Sequence, residues 1–335
     1  MKKINSIACM LFMAAAAVGL ASCENDNINP YDYTNNPTDS VPNHGATNVV
    51  KTQLAEYPVG SIVWTRDTTL SESVEIPVGT SLYIEPGVTG TCKADVQVPI
   101  EIVVLGNLYC MGTAQQPIVF TADNPKPAAW GGIICGYNAQ EVVLSHVEVA
   151  YAGATPTESS ASFQNKLFKT TIDGGVPAFH FCNVDGRFAM AHCFFHDNYN
   201  DQTYFTGGHG VIVNNIFADS GNAADGGEAI NVKAGCKLDV ANNLIYNACT
   251  NAFKLSNAGN SETVPLTEMT AYNNTIIDCG WRRSKNKKGG SVWVEKAAKP
   301  VFVNNLLVDC RYGLKQPKQD GADMDHSRLT PNYYY

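Results

Sequence analysis

Four segments of this chain repeat one another, and this repeat limits the fold more than any other feature of the sequence. They are Val211-Ile-Val-Asn-Asn-Ile-Phe217, Leu238-Asp-Val-Ala-Asn-Asn-Leu-Ile245, Met269-Thr-Ala-Tyr-Asn-Asn-Thr-Ile-Ile277 and Val301-Phe-Val-Asn-Asn-Leu-Leu307. Their first asparagines, Asn214, Asn242, Asn273 and Asn304, are separated by 28, 31 and 31 residues. A period in this range, built from short alternating strands, predicts a solenoid in which each coil covers its neighbour.

Each repeat also contains a third β-rich run, some ten residues after the Asn pair. Examples are Glu228-Ala-Ile-Asn-Val-Lys233, Asn251-Ala-Phe-Lys-Leu-Ser256 and Ser291-Val-Trp-Val-Glu295. Three short strands per coil, each paired in parallel with the same strand of the next coil, describe a parallel β-helix. Parallel crossovers are overwhelmingly right-handed. The sequence therefore predicts an all-β, right-handed parallel β-helix.

The Asn-Asn pairs fit the tight corners of such a coil. Asparagine tolerates left-handed backbone angles and hydrogen-bonds to nearby backbone. Stacked asparagine amides also bond to one another from layer to layer. We therefore expect a structural role for these pairs and do not take them as a binding site.

The N-terminus has the pattern of an exported protein. A basic start, Met1-Lys-Lys, precedes an apolar run from Ala8 to Leu20 that is too short to span a membrane, so residues 1–22 are predicted to be a signal peptide. Leu20-Ala-Ser-Cys23 resembles the bacterial lipobox, in which the cysteine becomes the acylated first residue. The acidic Glu24-Asn-Asp-Asn27 is similar to surface-export signals of Bacteroides-like lipoproteins. This resemblance implies a lipid anchor on Cys23 at the outer membrane, and the alternative is an unmodified secreted protein.

Residues 23–57 are rich in Asn, Asp, Pro and Thr, a composition that predicts a flexible tether, so the β-helix domain is expected over residues 58–335. Removing the leader takes away Lys2 and Lys3, and the formal charge falls from −8 to −10. An acidic protein is a poor partner for nucleic acid or for an anionic membrane surface.

Cysteine gives no readable disulfide pattern. Of the 11 cysteines, Cys9 lies in the leader and Cys23 is the predicted anchor, which leaves nine. Cys279 and Cys310 each follow the second Asn of their repeat by five residues, and Ser220 takes that place in an earlier repeat. We expect small buried residues stacked at one corner. No CxxC spacing is present, which argues against a structural zinc site.

The earlier part of the chain resembles a known superfamily. Gly112-Thr-Ala-Gln-Gln-Pro-Ile-Val-Phe-Thr121, Trp130-Gly-Gly-Ile-Ile134 and a strand ending in Tyr151-Ala-Gly153 occur in this order. The same order is found in the opening turns of bacterial surface β-helix proteins of the pectate-lyase-like superfamily. The likeness covers roughly residues 60–315 and implies the same fold, with an N-terminal β cap region. That superfamily includes lyases, hydrolases and binding proteins, so the fold does not determine the activity.

Enzyme motifs of the superfamily are mostly missing. Its lyases pair a Lys or Arg base with Ca²⁺, and no acidic Ca²⁺ cluster is apparent in the sequence. Its hydrolases use paired aspartates and a Gly-His-Gly, of which only Gly208-His209-Gly210 is matched. Whether the protein is an enzyme stays open, and we expect no cofactor, with Ca²⁺ relevant only to a lyase.

Four histidines lie close together in sequence: His180, His192, His196 and His209. His192-Cys193 takes the position of the Asn-Asn pair in its repeat, so a turn should separate His192 from His196. Corner and surface positions account for these imidazoles, and we expect no metal site.

The aligned third runs predict a binding face. If Ile230, Phe253 and Val292 point inward, one outward row contains Asn231, Lys254, Trp293 and Lys315. The next outward row would be Lys233, Ser256 and Glu295. An exposed Trp293 flanked by lysines could stack on a sugar ring and contact acidic groups, unless a long loop covers it.

Beside this face lies a basic segment, Trp281-Arg-Arg-Ser-Lys-Asn-Lys-Lys-Gly-Gly290, that includes Arg282 and Arg283. We expect it to project between two coils and to meet an anionic polysaccharide. At the C-terminus, we expect that the tyrosines of Asn332-Tyr-Tyr-Tyr335 plug the coil or that the chain is part of a longer protein.

These patterns together favour a lipid-anchored surface β-helix protein that binds glycan or serves as a structural module. The alternative is a polysaccharide lyase or hydrolase with a non-standard site that uses Lys254 or Arg283.

Overall fold

The computed structural model describes residues 57–167, 175–221, 226–283 and 290–335. The predicted signal peptide, Cys23 and the tether up to residue 56 lie outside the described residues, as do residues 284–289 of the basic segment. In the described ranges, no helix is both long enough and apolar enough to cross a membrane.

Nearly all the regular secondary structure of the described chain consists of short strands. In chain order they are β1 (Ile62–Trp64), β2 (Thr68–Leu70), β3 (Val74–Ile76), β4 (Ser81–Ile84), β5 (Thr89–Cys92), β6 (Ile102–Val104), β7 (Asn107–Met111), β8 (Ile118–Ala122), β9 (Ile133–Cys135), β10 (Glu141–Ser145), β11 (Val147–Ala150), β12 (Phe179–Phe181), β13 (Arg187–Ala191), β14 (Phe194–His196), β15 (Thr203–Phe205), β16 (Gly208–Val213), β17 (Ile216–Ala218), β18 (Ile230–Val232), β19 (Cys236–Ala241), β20 (Leu244–Tyr246), β21 (Phe253–Ser256), β22 (Glu268–Tyr272), β23 (Thr275–Ile277), β24 (Val292–Glu295), β25 (Lys299–Val303), β26 (Leu306–Val308), β27 (Leu314–Lys315) and β28 (Tyr333–Tyr334). One short α-helix, α1 (Ala161–Gln164), and one 3₁₀ turn (Met324–His326) interrupt them.

Every third strand joins the same sheet. The first sheet runs β1-β4-β7-β10-β13-β16-β19-β22-β25, the second β2-β5-β8-β11-β14-β17-β20-β23-β26-β28 and the third β3-β6-β9-β12-β15-β18-β21-β24-β27. Pairing is parallel between each strand and its counterpart in the next coil, for example Val211 opposite Asp239 and Ile230 opposite Phe253. The predicted three-strand parallel β-helix is confirmed.

Inward residues from all three strands of each coil build a continuous and mostly apolar core. On the third sheet the inward column runs Ile133, Phe179, Thr203, Ile230, Phe253, Val292 and Leu314. Phe188 of the first sheet stacks on Phe205 of the third, with ring centroids 4.7 Å apart. Each fully buried Phe or Ile stabilises the fold by roughly 2 kcal/mol relative to an exposed position, so the coils depend on contact with one another.

At the corner between the first and second sheets, the two residues of each Asn-Asn pair have different structural roles. Positive φ angles of 50–57° occur at His146, His192, Asn214, Asn242, Asn273 and Asn304. The residue that follows builds a buried amide ladder, in which the side chain of Asn215 donates to Asn243, Asn243 to Asn274, and Asn274 to Asn305. Cys193 joins the ladder through its backbone N–H, which donates to Oδ1 of Asn215. The predicted corner position of His192-Cys193 and the structural role of the Asn pairs are therefore confirmed.

The C-terminal end of the coil is covered by residues other than the tyrosines. Ala322 and Leu329 pack against the last apolar side chains of the core. Tyr333, Tyr334 and Tyr335 are exposed, and β28 simply extends the second sheet beside β26. The expectation that the tyrosines plug the coil is therefore wrong. Leu329, which precedes them in the chain, packs against the core, and the tyrosines stay exposed.

Candidate functional site

The outer face of the third sheet brings together most of the residues that the sequence singled out. Asn231 lies opposite Lys254, Lys254 opposite Trp293, and Trp293 opposite Lys315, one residue per coil. Tyr204 precedes Asn231 in the same row. The predicted outward register is correct.

Trp293, however, is not an exposed platform, and that expectation is wrong. Its side chain is buried, with 5% of the residue accessible. The indole N–H donates to Oε2 of Glu295, two residues along the same strand, at 2.8 Å. With so little of the residue accessible, its ring offers no open face to a sugar.

A buried pair of carboxyl groups lies at the start of this row, and the sequence reading missed it. Asp201 and Glu228 come from adjacent coils and are hydrogen-bonded to each other. Oδ1 of Asp201 accepts from the backbone N–H groups of Gly227 and Glu228, both at 2.9 Å, and Oδ2 accepts from Nδ2 of Asn231 at 2.8 Å. Oε1 of Glu228 accepts from Nδ2 of Asn251 at 3.1 Å.

The environment drives the two pKa values in opposite directions. Burial, followed by the charge of Glu228, raises the pKa of Asp201 to about 7. Burial also opposes ionisation of Glu228, but the hydrogen bond from Asp201 and the charges of Lys254, Lys233 and Arg283 outweigh it and lower the pKa of Glu228 to about 2. Of the two carboxyl groups, Asp201 is therefore the one that binds a proton more readily and Glu228 the one that ionises more readily.

Cations complete this cluster. Nζ of Lys254 lies 3.6 Å from Oε1 of Glu228, and its side chain is 25% exposed, more than any carboxyl of the pair. Burial opposes the charged form of Lys254, yet Glu228 and Asp201 raise its pKa overall. Nζ of Lys233 lies 5.3 Å from the centre of the Tyr204 ring. Asn231, Lys254 and Arg283 were predicted from the sequence to bind a ligand. They lie around the Asp201–Glu228 pair, which was not predicted.

The repeat does contain a pattern from which the Asp201–Glu228 pair could have been predicted. Asp201 stands two residues before the inward Thr203, and Glu228 stands two residues before the inward Ile230. Those two inward residues face each other in neighbouring coils. An alignment of the third runs that began two residues earlier would have placed both acids in one column.

A second surface lies around the basic segment, and we name it the Trp281 patch: Trp281, Arg283, Arg311, Tyr312 and Lys315. Trp281 is 54% exposed, and its indole N–H donates to the backbone O of Asp309 at 2.8 Å. Nη1 of Arg311 donates to the backbone O of Arg283 at 2.6 Å. Nζ of Lys315 lies 3.6 Å from the centre of the Tyr312 ring. Of the four tryptophans in the sequence, all within the described ranges, Trp281 alone is exposed.

Arg282 has a structural role that the sequence did not suggest. Its guanidinium donates to the backbone O of Gly221 at 2.5 Å, of Ser220 at 2.7 Å and of Asn247 at 2.6 Å. It also donates to Oδ1 of Asn247 at 3.1 Å. These bonds tie three coils together at the corner after the second sheet, so Arg282 has a structural role there besides its predicted role in ligand binding.

The four histidines are dispersed. His180 lies buried in the outward row of the third sheet, His209 lies on the first sheet, and the ring of His192 stacks on that of His146 with centroids 4.7 Å apart. His196 is held between Oδ2 of Asp197 at 2.8 Å and Oε1 of Glu148 at 3.2 Å. In the part of the chain that the structure describes, no group of three or more His, Cys, Asp or Glu side chains could hold a metal ion.

The Gly208-His209-Gly210 fragment is explained by packing. A Cβ on Gly208 would lie 2.7 Å from the Phe181 ring, and a Cβ on Gly210 would overlap the Phe188 ring. Both rings belong to the core, so glycine is needed there whatever the function. The fragment also lies on the first sheet, away from the Asp201–Glu228 pair on the third.

A shallow cleft of about 390 Å³ follows the ends of the third-sheet strands. Uncharged residues line it, among them Tyr137, Asn183, Thr206 and Val264. It includes neither Lys254 nor Trp281, and it offers no acid, base or cation to a ligand. We therefore place the candidate site on the carboxyl pair and the Trp281 patch and not in this cleft.

Two family models match the chain. One, described as a pectate-lyase like beta helix domain, matches residues 60–164, and the other, described as a right handed beta helix region, matches residues 131–327. The second match spans more than half of the 335 residues and agrees with the predicted hand of the coil. No curated protein and no solved structure matches the chain significantly.

Proposed function

The chain belongs to the right-handed β-helix family, and on that premise we propose that it is a glycan-binding module of the cell surface. The observation that carries the proposal is the exposed Trp281, fixed by its hydrogen bond to Asp309 and followed directly in the chain by Arg282 and Arg283. Trp293, the tryptophan favoured by the sequence, is buried and does not contribute a stacking surface.

The Trp281 patch has the chemistry that an acidic glycan requires. An indole whose N–H is already bonded keeps one orientation, so its apolar face can stack on a sugar ring with little loss of side-chain freedom. Arg283, Arg311 and Lys315 add positive charges to an otherwise acidic protein. Such groups bind carboxylate or sulfate on a sugar through charge-assisted hydrogen bonds.

The location is part of the same proposal. Residues 1–22 have the pattern of an export signal, and Cys23 ends a lipobox-like tetrapeptide. Acyl chains on Cys23 would hold the protein at the outer membrane, with residues 24–57 as the tether to the β-helix. Growth with a labelled fatty acid tests this: label should enter the wild-type protein and not the Cys23→Ala variant.

Binding is tested by titrating neutral and acidic polysaccharides into the purified protein. We expect an acidic polysaccharide to bind, and Trp281→Ala to weaken it about tenfold, which equals roughly 1.4 kcal/mol. Tyr137→Ala is the matched control, since Tyr137 is 56% exposed, close to the 54% of Trp281, and lies in an early coil. Equal affinity of wild type and Trp281→Ala would remove the patch from the proposal, and no binding by any polysaccharide would favour a purely structural module.

A second candidate function is cleavage of an acidic polysaccharide, and the carboxyl pair favours it. Asp201 and Glu228 are themselves buried, so Lys254, whose side chain is 25% exposed beside Glu228, is the group of this cluster that a polysaccharide would reach, and the pair would act by setting the charge around it. Lys254 and Arg283, which lie around Glu228, could neutralise a uronate carboxylate. Ca²⁺ would enter only if the reaction were an elimination.

The release of new reducing ends, with and without Ca²⁺, tests this second function, since hydrolysis and elimination both produce them. If the pair is catalytic, Glu228→Gln should lower the rate at least 100-fold, while Trp281→Ala should act mainly on substrate affinity. Unchanged activity in Glu228→Gln, or none in the wild type across the panel, would leave the pair a structural feature of the third sheet.

A further inference from the structure

Two cysteines stand next to each other in adjacent coils near the C-terminal end. Ile277 pairs with Val308 at the end of the second sheet, and the register continues through the corner that follows. The backbone N–H of Asp278 donates to Val308 O, and that of Arg311 donates to Cys279 O, each at 3.0 Å. Cys279 and Cys310 lie between these two bonds and therefore face each other across one coil.

This spacing fits a covalent bond between the two sulfurs. Neighbouring strands lie about 4.8 Å apart, and the Cα atoms of disulfide-bonded cysteines lie roughly 4.4–6.8 Å apart. Both residues occupy a corner and not the middle of a strand, so small changes in backbone angle can close the remaining gap. Sγ of Cys279 donates to the backbone O of Ile277 at 3.3 Å and Sγ of Cys310 to that of Ile276 at 3.6 Å, so both thiols lie beside the same segment of chain.

The two thiols differ in a way that favours reaction. Cys279 is fully buried, whereas Cys310 is partly accessible to solvent. The interaction with the Cys279 thiol lowers the pKa of Cys310 to about 6, although burial opposes this shift. Burial raises the pKa of Cys279 well above its usual value. Cys310 is therefore the nucleophile that an oxidant in solution can reach.

We propose that Cys279 and Cys310 form a disulfide that links the last complete coils of the β-helix. The Cys310 thiolate attacks a sulfur of a disulfide oxidant and releases one thiolate from it. The Cys279 sulfur, after losing its proton to solvent, then attacks the Cys310 sulfur of the mixed disulfide and displaces the second thiolate. Two protein thiols are oxidised to one S–S bond, and the oxidant is reduced to two thiols.

A second pair of neighbouring cysteines, offset by one residue because Cys135 lies opposite Phe181, provides an internal control. Cys135 and Cys182 also belong to adjacent coils, and Sγ of Cys182 donates to the backbone O of Cys135 at 3.2 Å. Both are buried, and burial raises the pKa of Cys182 to about 12. An oxidant has neither access to these sulfurs nor a thiolate to react with, so this pair should stay reduced.

The bond would also act on the surface described above. Trp281 follows Cys279 by two residues, and Arg311 follows Cys310 directly. A cross-link below them would fix the backbone that carries both side chains. The inference itself does not depend on glycan binding, since the cross-link forms or fails whether or not the Trp281 patch binds a ligand.

The test is to treat the purified protein with oxidised glutathione, block the remaining thiols after denaturation, and map tryptic peptides without reduction. Arg282 and Lys296 lie between the two cysteines, so a disulfide would join two separate peptides. We expect the Cys279 peptide linked to the Cys310 peptide, with Cys135 and Cys182 alkylated. Glutathione on Cys310 with Cys279 still alkylatable, or a link from Cys310 to another cysteine, would overturn the proposal.

A thermal measurement complements the map. Oxidation should raise the unfolding midpoint of the wild type by roughly 5 °C and leave that of Cys310→Ser unchanged. Cys135→Ser serves as the matched variant and should retain the oxidation-dependent rise. An equal rise in Cys310→Ser would mean that oxidation acts elsewhere, against the proposal. The peptide map uses only the wild-type protein, so its result does not depend on whether a variant folds.

Discussion

The side-chain amide of Asn243 donates to Oδ1 of Asn274 at 2.9 Å, joining residues that lie 31 positions apart in sequence. The same amide donates to the backbone O of Ile212 at 2.9 Å, and Oδ1 of Asn243 accepts from Asn215. Each ladder asparagine therefore satisfies groups in the coil before and in the coil after its own.

Replacing a ladder asparagine should destabilise the protein strongly. Asn243→Ala leaves buried polar groups in both neighbouring coils without a partner, and we expect the free energy of unfolding to fall by about 3 kcal/mol. Urea unfolding measures this. Asn242→Gly is the matched control, since glycine adopts the same positive φ and should cost only a few tenths of a kcal/mol. Similar losses in both variants would contradict the division of roles within the Asn pair.

The His196 cluster should make stability depend on pH in the alkaline range. Burial opposes the charge, but hydrogen bonds to Asp197 and Glu148 outweigh it and raise the pKa of His196 to about 9. Because the folded protein holds this proton more tightly, the stabilisation is full below about pH 6.5 and is lost as the pH rises through 9.

We expect the unfolding free energy of the wild type to fall by about 1–2 kcal/mol more than that of His196→Gln between pH 6 and 9.5, allowing for the partly exposed carboxylates. Urea unfolding at both pH values gives the difference. His192→Asn, which restores the usual corner residue, should retain the wild-type slope. A slope in His196→Gln equal to that of the wild type would exclude this cluster as its source.

Gly210 should not tolerate a side chain. A Cβ there would overlap the Phe188 ring, which is packed between Phe181 at 5.0 Å and Phe205 at 4.7 Å between centroids. Gly210→Ala should cost about 2–3 kcal/mol of unfolding free energy. Adding Phe188→Leu should recover part of this loss relative to the sum of the single variants. Strict additivity of the two changes would show that Phe188 is not the obstacle.

Ser162 should stabilise the short helix α1 on the third sheet through Glu101. Its hydroxyl donates to Oε1 of Glu101 at 2.6 Å, and its backbone N–H donates to Oε2 at 2.8 Å. Burial raises the pKa of Glu101, while these bonds oppose the rise by favouring the ionised form.

Ser162→Ala should therefore lower the unfolding free energy by about 2 kcal/mol, and the loss should grow from pH 4 to pH 8 as Glu101 ionises. Ser159→Ala, at an exposed position three residues earlier, should change stability by less than about 0.5 kcal/mol. If the loss of unfolding free energy in Ser162→Ala stays constant across this pH range, the stabilisation by Ser162 does not depend on the charge of Glu101, and the prediction is wrong.

Much of the fold could be predicted because, in a solenoid, residues that contact each other between coils are separated by one repeat length in the sequence. Once Asn214, Asn242 and Asn273 are aligned, every strand has its partner one repeat away, and the outward row through Asn231, Lys254 and Trp293 follows from alternation. The corner position of His192-Cys193 follows from the same alignment.

The candidate site could be predicted from the repeat only in part. Alternation predicts on which face Trp293 lies, but its burial depends on the bond to Glu295 and on neighbouring rows. Arg282 and Arg283 are adjacent in sequence, yet Arg282 binds backbone carbonyls of three coils while Arg283 lies near Glu228.

The strand period, the residues that turn each corner and the face on which each strand residue lies could all be predicted from the amino-acid sequence, because these depend on local backbone preference and on a contact repeated in every coil. The three-dimensional packing was needed to find that Asp201 and Glu228 lie together in a buried cluster, that Trp281 and not Trp293 is exposed, and that Cys279 faces Cys310. Those outcomes depend on how side chains from different coils fill the space between them, and no single repeat contains that information.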